Sequence, residues 1–300
     1  MQTRAAMGTL FEVRVWTPVE EAASVPMARV WSELERCEQA LSDYRATSEA
    51  RRLLQTSEWT GVGEILWEAV QQGDALHRTT GGVVDATVGP LTRLWRRAAR
   101  QGALPSAERI RRAQEAVGWA LLERRDGPEL RPGRDGMRLD FGAFGKGLAL
   151  DRMGRILTAA GHPRFLIDGG GDLLVGDPPP RAAGWDIRIE AAPGDGSTLT
   201  LAGCAIATSG LSARPLVIDG VRIGHILDAR TGAWLDRDVA ATVVAPSASQ
   251  ADGWATALCV LGPSGLSRLP AGSSGRVVQR DARGSPVSAS GVLRGEAPRR

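Results

Sequence analysis

The chain has 300 residues, 43% of them hydrophobic and 24% charged, and a formal net charge of +3. These values are ordinary for a globular protein and exclude a fibrous repeat or a generally disordered chain. A net charge this small calls for no nucleic acid and no membrane surface as partner.

Residues 1–7 are too short and too polar for a signal peptide. The expected location is therefore cytoplasmic as written, or periplasmic if a leader has been removed. Residues 9–16 alternate, with Phe11, Val13 and Val15 on one face and Glu12 and Arg14 on the other, which predicts a strand. Residues 20–41 carry Val30, Leu34, Cys37 and Leu41 at helical steps, and residues 63–78 carry Leu66, Val70 and Leu76. After Pro90 a short helix holds Leu91, Leu94 and Trp95, with Thr87 as a candidate N-cap. Ser106 caps the next helix, which bears Ile110, Ala113 and Val117. Strands are predicted at 138–141 and 165–168, around a helix over 146–160 that turns Leu150, Met153 and Leu157 inward. Short strands follow at 185–189, 198–201, 205–208, 222–227 and 239–244, and a helix over 249–261. The tail after Pro263 is rich in Gly, Ser and Arg, with one strand candidate near Val277. Helices cluster early and strands late, which predicts an α+β fold rather than a doubly wound sheet. No segment approaches the roughly 18 apolar residues needed to span a bilayer.

Cys37, Cys204 and Cys259 are odd in number and far apart, a pattern that argues against a disulfide framework or a thiolate zinc site. Of the 37 basic residues Lys146 alone is lysine. Codon bias explains the general skew to arginine; the one exception marks a place where a compact ammonium is needed.

Lys146 stands in Asp140-Phe-Gly-Ala-Phe-Gly-Lys-Gly-Leu-Ala-Leu-Asp151, a predicted strand–turn–helix with three glycines. Glycines admit a ligand close to the backbone, and a helix start offers free N–H groups to an anion. The spacing is neither GxGxxG nor GxxxxGKS, and a tight packed turn is the other reading. Asp252 and Thr256 share one face of the last helix and offer hard oxygen ligands suited to Mg2+; an acidic first turn with a back-bonded threonine is the alternative. His225, beside the strand-ending Asp228, has the chemistry of a general base or of an ordinary surface histidine. Asp168-Gly-Gly-Gly-Asp172 and Thr208-Ser-Gly210 read as polar turns, and Asp85 precedes a helix.

Taken in order, Met7-Gly-Thr9, Leu41-Ser-Asp-Tyr44 with Ser48 and Glu49, Val84-Asp-Ala-Thr-Val-Gly-Pro-Leu91 with Trp95, and the Asp140 to Asp151 segment form a series. Asp168-Gly-Gly-Gly-Asp172, Thr208-Ser-Gly210, the turn from His225 to Gly232, and Asp252 with Thr256 complete it. The series resembles the ApbE family of FAD:protein FMN transferases over roughly residues 7 to 262. The resemblance implies mixed or antiparallel sheets with flanking helices, in an ApbE-like (T-fold-like) architecture. It implies a transferase domain over 1–262, two intertwined halves around an FAD cleft, and a C-terminal extension over 263–300. It implies Mg2+ held by Asp252, Thr256 and the backbone carbonyl at Ala143. FAD contacts would fall to Met7, Tyr44, Val83, Val84, Asp85, Asp140, Lys146 and Ile226, and His225 would serve the transfer. The implied reaction moves the FMN half of FAD to a threonine or serine hydroxyl of an acceptor flavoprotein, a redox subunit, and releases AMP. An FAD pyrophosphatase and a non-catalytic FAD-binding protein are the alternatives. The chain departs from the family pattern at Leu54, at Ala229 and at Leu211-Ser-Ala-Arg214.

Overall fold

The computed structural model describes residues 1–17, 24–190, 196–210, 216–218, 221–223, 226–235, 238–281 and 286–294. His225 and residues 211–214 lie outside the described residues.

In chain order the elements are β1 (Gln2–Ala6), β2 (Thr9–Val15), α1 (Ser24–Leu41), α2 (Glu49–Leu53), β3 (Thr60–Gly61), α3 (Glu64–Thr80), α4 (Gly89–Gln101) and α5 (Ala107–Gln114). Then come β4 (Leu122–Arg124), β5 (Glu129–Pro132), α6 (Gly145–Ala159), β6 (Phe165–Gly169), β7 (Leu173–Val175), β8 (Trp185–Glu190), β9 (Gly196–Leu201) and β10 (Cys204–Gly210). The last are β11 (Leu216–Ile218), β12 (Val221–Ile223), β13 (Leu227–Asp228), β14 (Ala233–Trp234), β15 (Val239–Ala245), α7 (Ala248–Leu261), β16 (Ser274–Arg280) and β17 (Pro286–Val292). The fold is α+β, and the chain divides into two bodies, each drawn from separate stretches.

The first body comprises Met1–Arg36, Phe144–Ser209 and Val239–Arg300. Its sheet has eight strands in the order β1-β2-β6-β7-β10-β15-β16-β17. The pairings β1–β2, β2–β6, β6–β7, β7–β10, β15–β16 and β16–β17 are antiparallel. β15, Val-Ala-Ala-Thr-Val-Val-Ala, is buried at every position, as a strand covered on both faces must be. Helix α7 packs on β15, α6 on β6 and β7, and the two helices on each other. A second apolar layer joins Leu166, Val175, Ile206, Val244 and Val278 to Ile187, Ile189 and Leu201 of the β8–β9 hairpin. Each such aliphatic side chain contributes about 1.5–3 kcal/mol when fully buried. The tail beyond Pro263, read from sequence as an extension, supplies β16 and β17 to this sheet.

The second body comprises Cys37–Ala143 and Gly210–Asp238. It holds α2 to α5, a three-stranded sheet β3-β5-β4, and the hairpins β11–β12 and β13–β14. Leu91, Trp95 and Ala98 of α4 pack on Leu227, and Trp234 meets Trp95 edge-on at 5.6 Å.

Three local expectations need correction. The strand expected over 222–227 is not one element: β12 pairs with β11 and β13 with β14, in separate hairpins. Residues 138–141 form no strand; Arg138 makes a single parallel bridge to Val88, and Asp140 N donates to Ala86 O at 2.7 Å. The partner segment turns at once into α4, so no ladder can propagate. Thr87 is not the cap of α4, whose N-cap is Val88 with no side-chain bond. The Thr87 hydroxyl instead donates to Asp85 Oδ1 (2.6 Å) and accepts from Gly118 N (2.8 Å).

Candidate functional site

In the first body the two helices α6 and α7 start side by side. Gly147 lets them meet, because a Cβ there would lie 2.3 Å from Ala248 O. Asp151, one turn further along α6, accepts from Ala248 N at 2.7 Å and Ser249 N at 2.9 Å, satisfying two free donors at the start of α7. Ser247 caps the same helix through Gln250 N. This clamp sets Lys146, the second residue of α6, against Asp252 of α7. Lys146 Nζ lies 3.1 Å from Asp252 Oδ2 and 3.3 Å from Oδ1, and Gly147 N donates to Oδ2 at 3.2 Å. Asp172, from the turn between β6 and β7, brings its Oδ2 to 2.9 Å from the same ammonium.

Asp252 is 2% exposed and Asp172 4%, and one ammonium serves both. Burial pushes both carboxyls up, Asp252 to about 7 with Asp172 adding repulsion, while the attraction of Lys146 works against the rise. Burial opposes the Lys146 charge, but Asp252 and Asp172 outweigh it and raise its pKa. Thr256, one turn beyond Asp252, shares a hydrogen bond of 3.1 Å with Ser209 Oγ. Thr208 Oγ1 lies 2.9 Å from Thr242 Oγ1. Carboxylates and hydroxyls are hard oxygen donors of the kind that Mg2+ takes, and a cation bound here would favour the ionised form of both carboxyls. Among the described residues no group of three or more His, Cys, Asp and Glu is close enough to hold a metal. A metal here would thus need the threonine hydroxyl, main-chain carbonyls or a ligand's own oxygens.

Met7 sits in the two-residue turn between β1 and β2 with φ +49°, followed by Gly8 at +78°. A left-handed non-glycine residue is uncommon and marks a constrained turn.

The second body gathers another set. Arg96 of α4 pairs with Asp43 and, at 3.2 Å, with Asp140 Oδ2, and its guanidinium lies 4.7 Å from the centre of the Tyr44 ring. Thr92 Oγ1 donates to Asp140 Oδ2 at 2.8 Å, and Gly142 N to Oδ1 at 2.8 Å. Tyr44 keeps 74% of its surface exposed. Asp85 accepts from Thr87 N at 2.8 Å and faces His77 Nδ1 at 3.4 Å. Val83 and Val84 are buried, each 3% exposed. Ile226 is buried and its carbonyl accepts from Leu235 N. Ala143, half-buried, ends this body's first stretch.

A family model described as the ApbE family matches residues 7–275. The chain belongs to the ApbE family.

An FAD:protein FMN transferase from Klebsiella pneumoniae is 31% identical over 271 residues, covering 86% of this chain and 77% of that one. One from Escherichia coli is 28% identical over the same length. The solved flavinyl transferase ApbE of Pseudomonas stutzeri superposes with a TM-score of 0.83 at 29% identity, covering 96% of this chain and 93% of its own. The ApbE protein of Thermotoga maritima gives 0.82 at 25% identity, covering 96% of both chains. The architecture is that of these ApbE flavin transferases, and the chain is an enzyme of the transferase class.

Within this ApbE chain, the structure brings Lys146 and Asp252 together and links Tyr44 to Asp140 through Arg96. Sequence reasoning missed Asp172, Arg96 and Ser209. Asp172 carried a signal, a glycine cluster after a strand, but no spacing ties it to Lys146. Arg96 was one arginine among many.

Proposed function

We propose that this ApbE chain transfers the FMN half of FAD, with Mg2+, to a threonine or serine hydroxyl on an acceptor flavoprotein. The observation that carries the reading is the lone lysine held between two buried carboxyls, one of them on the helix that also presents the Thr256 hydroxyl. Such a cluster is costly unless a cation joins it and a ligand of opposite charge completes it.

The acceptor oxygen attacks the FMN phosphorus, the P–O bond to AMP breaks, AMP leaves with the bonding pair, and the hydroxyl proton passes to a base. Lys146, together with a bound Mg2+, would outweigh Asp172 and Asp252 and offset the charge of the diphosphate, and positioning supplies much of the remaining rate. His225, or an aspartate nearby, takes the proton. Met7, Tyr44, Val83, Val84, Asp85, Asp140 and Ile226 hold the dinucleotide. Asp252, Thr256 and the carbonyl at Ala143 would hold Mg2+, which when bound supplies positive charge to the phosphate oxygens.

The test is incubation with FAD, Mg2+ and candidate acceptor flavoproteins, following AMP release and covalent in-gel flavin fluorescence. Transfer gives both together. AMP and free FMN without acceptor would mean a pyrophosphatase, and tight FAD binding with no AMP a carrier.

A further inference from the structure

Helix α4 carries arginine at 93, 96, 97 and 100 and no acidic residue. Arg96 points to Asp43 and Asp140. Arg93, Arg97 and Arg100 are exposed, and their spacing of four and three places them on one face of the helix. Among the described residues none of the three has a carboxylate partner. The neighbouring α5 is built differently: Arg111 pairs with Glu108 at 2.6 Å and Glu115 at 2.9 Å, and Arg112 with Glu108 at 2.6 Å. The unpaired row continues at the start of α4, where a Cβ on Gly89 would lie 2.6 Å from Arg138 Cβ. Burial, then the charges of Arg51 and Arg93, lowers the pKa of Arg138. At the same helix Tyr44 stands exposed over Arg96, within the field of Arg100.

Asp43 also acts on Arg138, but Arg51, Arg93 and Arg96 outnumber it, and crowded guanidinium groups are a cost that an anion relieves. From Arg93 to Arg100 the row spans about 10 Å. That length matches a few residues of an extended peptide and is short for a nucleic-acid track, which the small net charge also disfavours. We propose that Arg93, Arg97 and Arg100, with Arg138 at the end of the row, dock an acidic segment of the protein that accepts the flavin. The identity of this partner rests on the transferase reading; the charge complementarity does not. Guanidinium forks favour carboxylates in bidentate geometry, so acidic side chains flanking the acceptor hydroxyl would set which proteins are served.

The test uses the full chain, the double variants Arg97→Glu/Arg100→Glu and Arg97→Gln/Arg100→Gln, and a fluorescein-labelled hexaglutamate peptide read by anisotropy. Hexalysine, a short single-stranded oligonucleotide and FAD are the comparison ligands. The parent should bind hexaglutamate, more weakly as salt rises. Charge reversal should weaken it about tenfold or more, and neutralisation less. FAD affinity should stay at the parent value in both variants. Hexaglutamate binding unchanged by reversal would overturn the proposal. So would tighter binding of the oligonucleotide, and so would a parallel loss of FAD affinity, which would assign the row to the dinucleotide. The two readings fail apart: a parent that releases no AMP from FAD with acceptors refutes the transferase, and insensitivity to charge reversal refutes the row.

Discussion

Lys146 Nζ lies 3.1 Å from Asp252 Oδ2, although 106 residues separate them in sequence. The contact depends on two further facts of the same interface, the glycine at 147 and the carboxylate of Asp151 bound to the first amides of α7. Helix packing, rather than a local motif, therefore makes this part of the site.

Replacing Lys146 with Met leaves Asp172 and Asp252 buried without a counter-charge. The fold should lose roughly 3 kcal/mol, the lower end for a broken buried pair because Lys146 keeps 27% of its side chain exposed. Denaturant titration measures this. Lys146→Arg should recover much of the stability and little of the transfer, since a planar fork cannot replace a compact ammonium between two carboxylates.

Asp252→Asn behaves in the opposite way. It removes the repulsion between Asp252 and Asp172 while leaving an oxygen to accept from Gly147 N. Without Mg2+ the variant should melt at or above the parent temperature, and Mg2+ should raise its melting temperature less than the parent's. A variant stabilised by Mg2+ as much as the parent would remove Asp252 from the metal set.

Gly147→Ala places a methyl 2.3 Å from Ala248 O and must push α6 from α7. A loss of about 1–3 kcal/mol is expected, together with weaker FAD binding. Gly61→Ala, where a Cβ meets nothing within 4 Å, should change neither.

Asp74 gives a pH-dependent prediction. Burial would raise its pKa, but hydrogen bonds from the Trp119 indole and the Arg124 guanidinium, each 2.7 Å, hold it below the ordinary 3.8. A depressed carboxyl stabilises the fold above its unfolded pKa, and that stability is lost as pH falls through the folded value. Asp74→Asn should be about 1 kcal/mol less stable than the parent at neutral pH. The gap should close as the pH drops below 3.8; a gap independent of pH would contradict the assignment.

Most helices were legible because their apolar periodicity is strong, as in α3 with Leu66, Val70 and Leu76. Of the inner strands of the large sheet, β2, β6, β10, β15 and β16 were legible from their apolar residues, and β7, three residues long after the Asp168–Asp172 turn, was not. The two edge strands, each paired on one side, were not: β1, Gln-Thr-Arg-Ala-Ala, shows no apolar alternation, and β17, Pro-Val-Ser-Ala-Ser-Gly-Val, alternates serine with residues that are mostly small. Residues 138–141 look like a strand by composition, yet their partner residues leave for α4 after one bridge. In the site, Lys146 stood out because it is unique, and Asp252 because a helix face is readable. Asp172 and Arg96 needed the fold, since their partners come from distant turns and helices. Gly147 reads in sequence as room for a phosphate; in three dimensions it is room for Ala248.

The most direct measurement is AMP release from FAD with Mg2+ and an acceptor flavoprotein, comparing the parent with Lys146→Met under conditions where both are folded. The parent should release AMP in a reaction that chelation of Mg2+ abolishes, and the variant should be slower by roughly 100-fold or more. Equal release by Lys146→Met, or release indifferent to chelation, would contradict this.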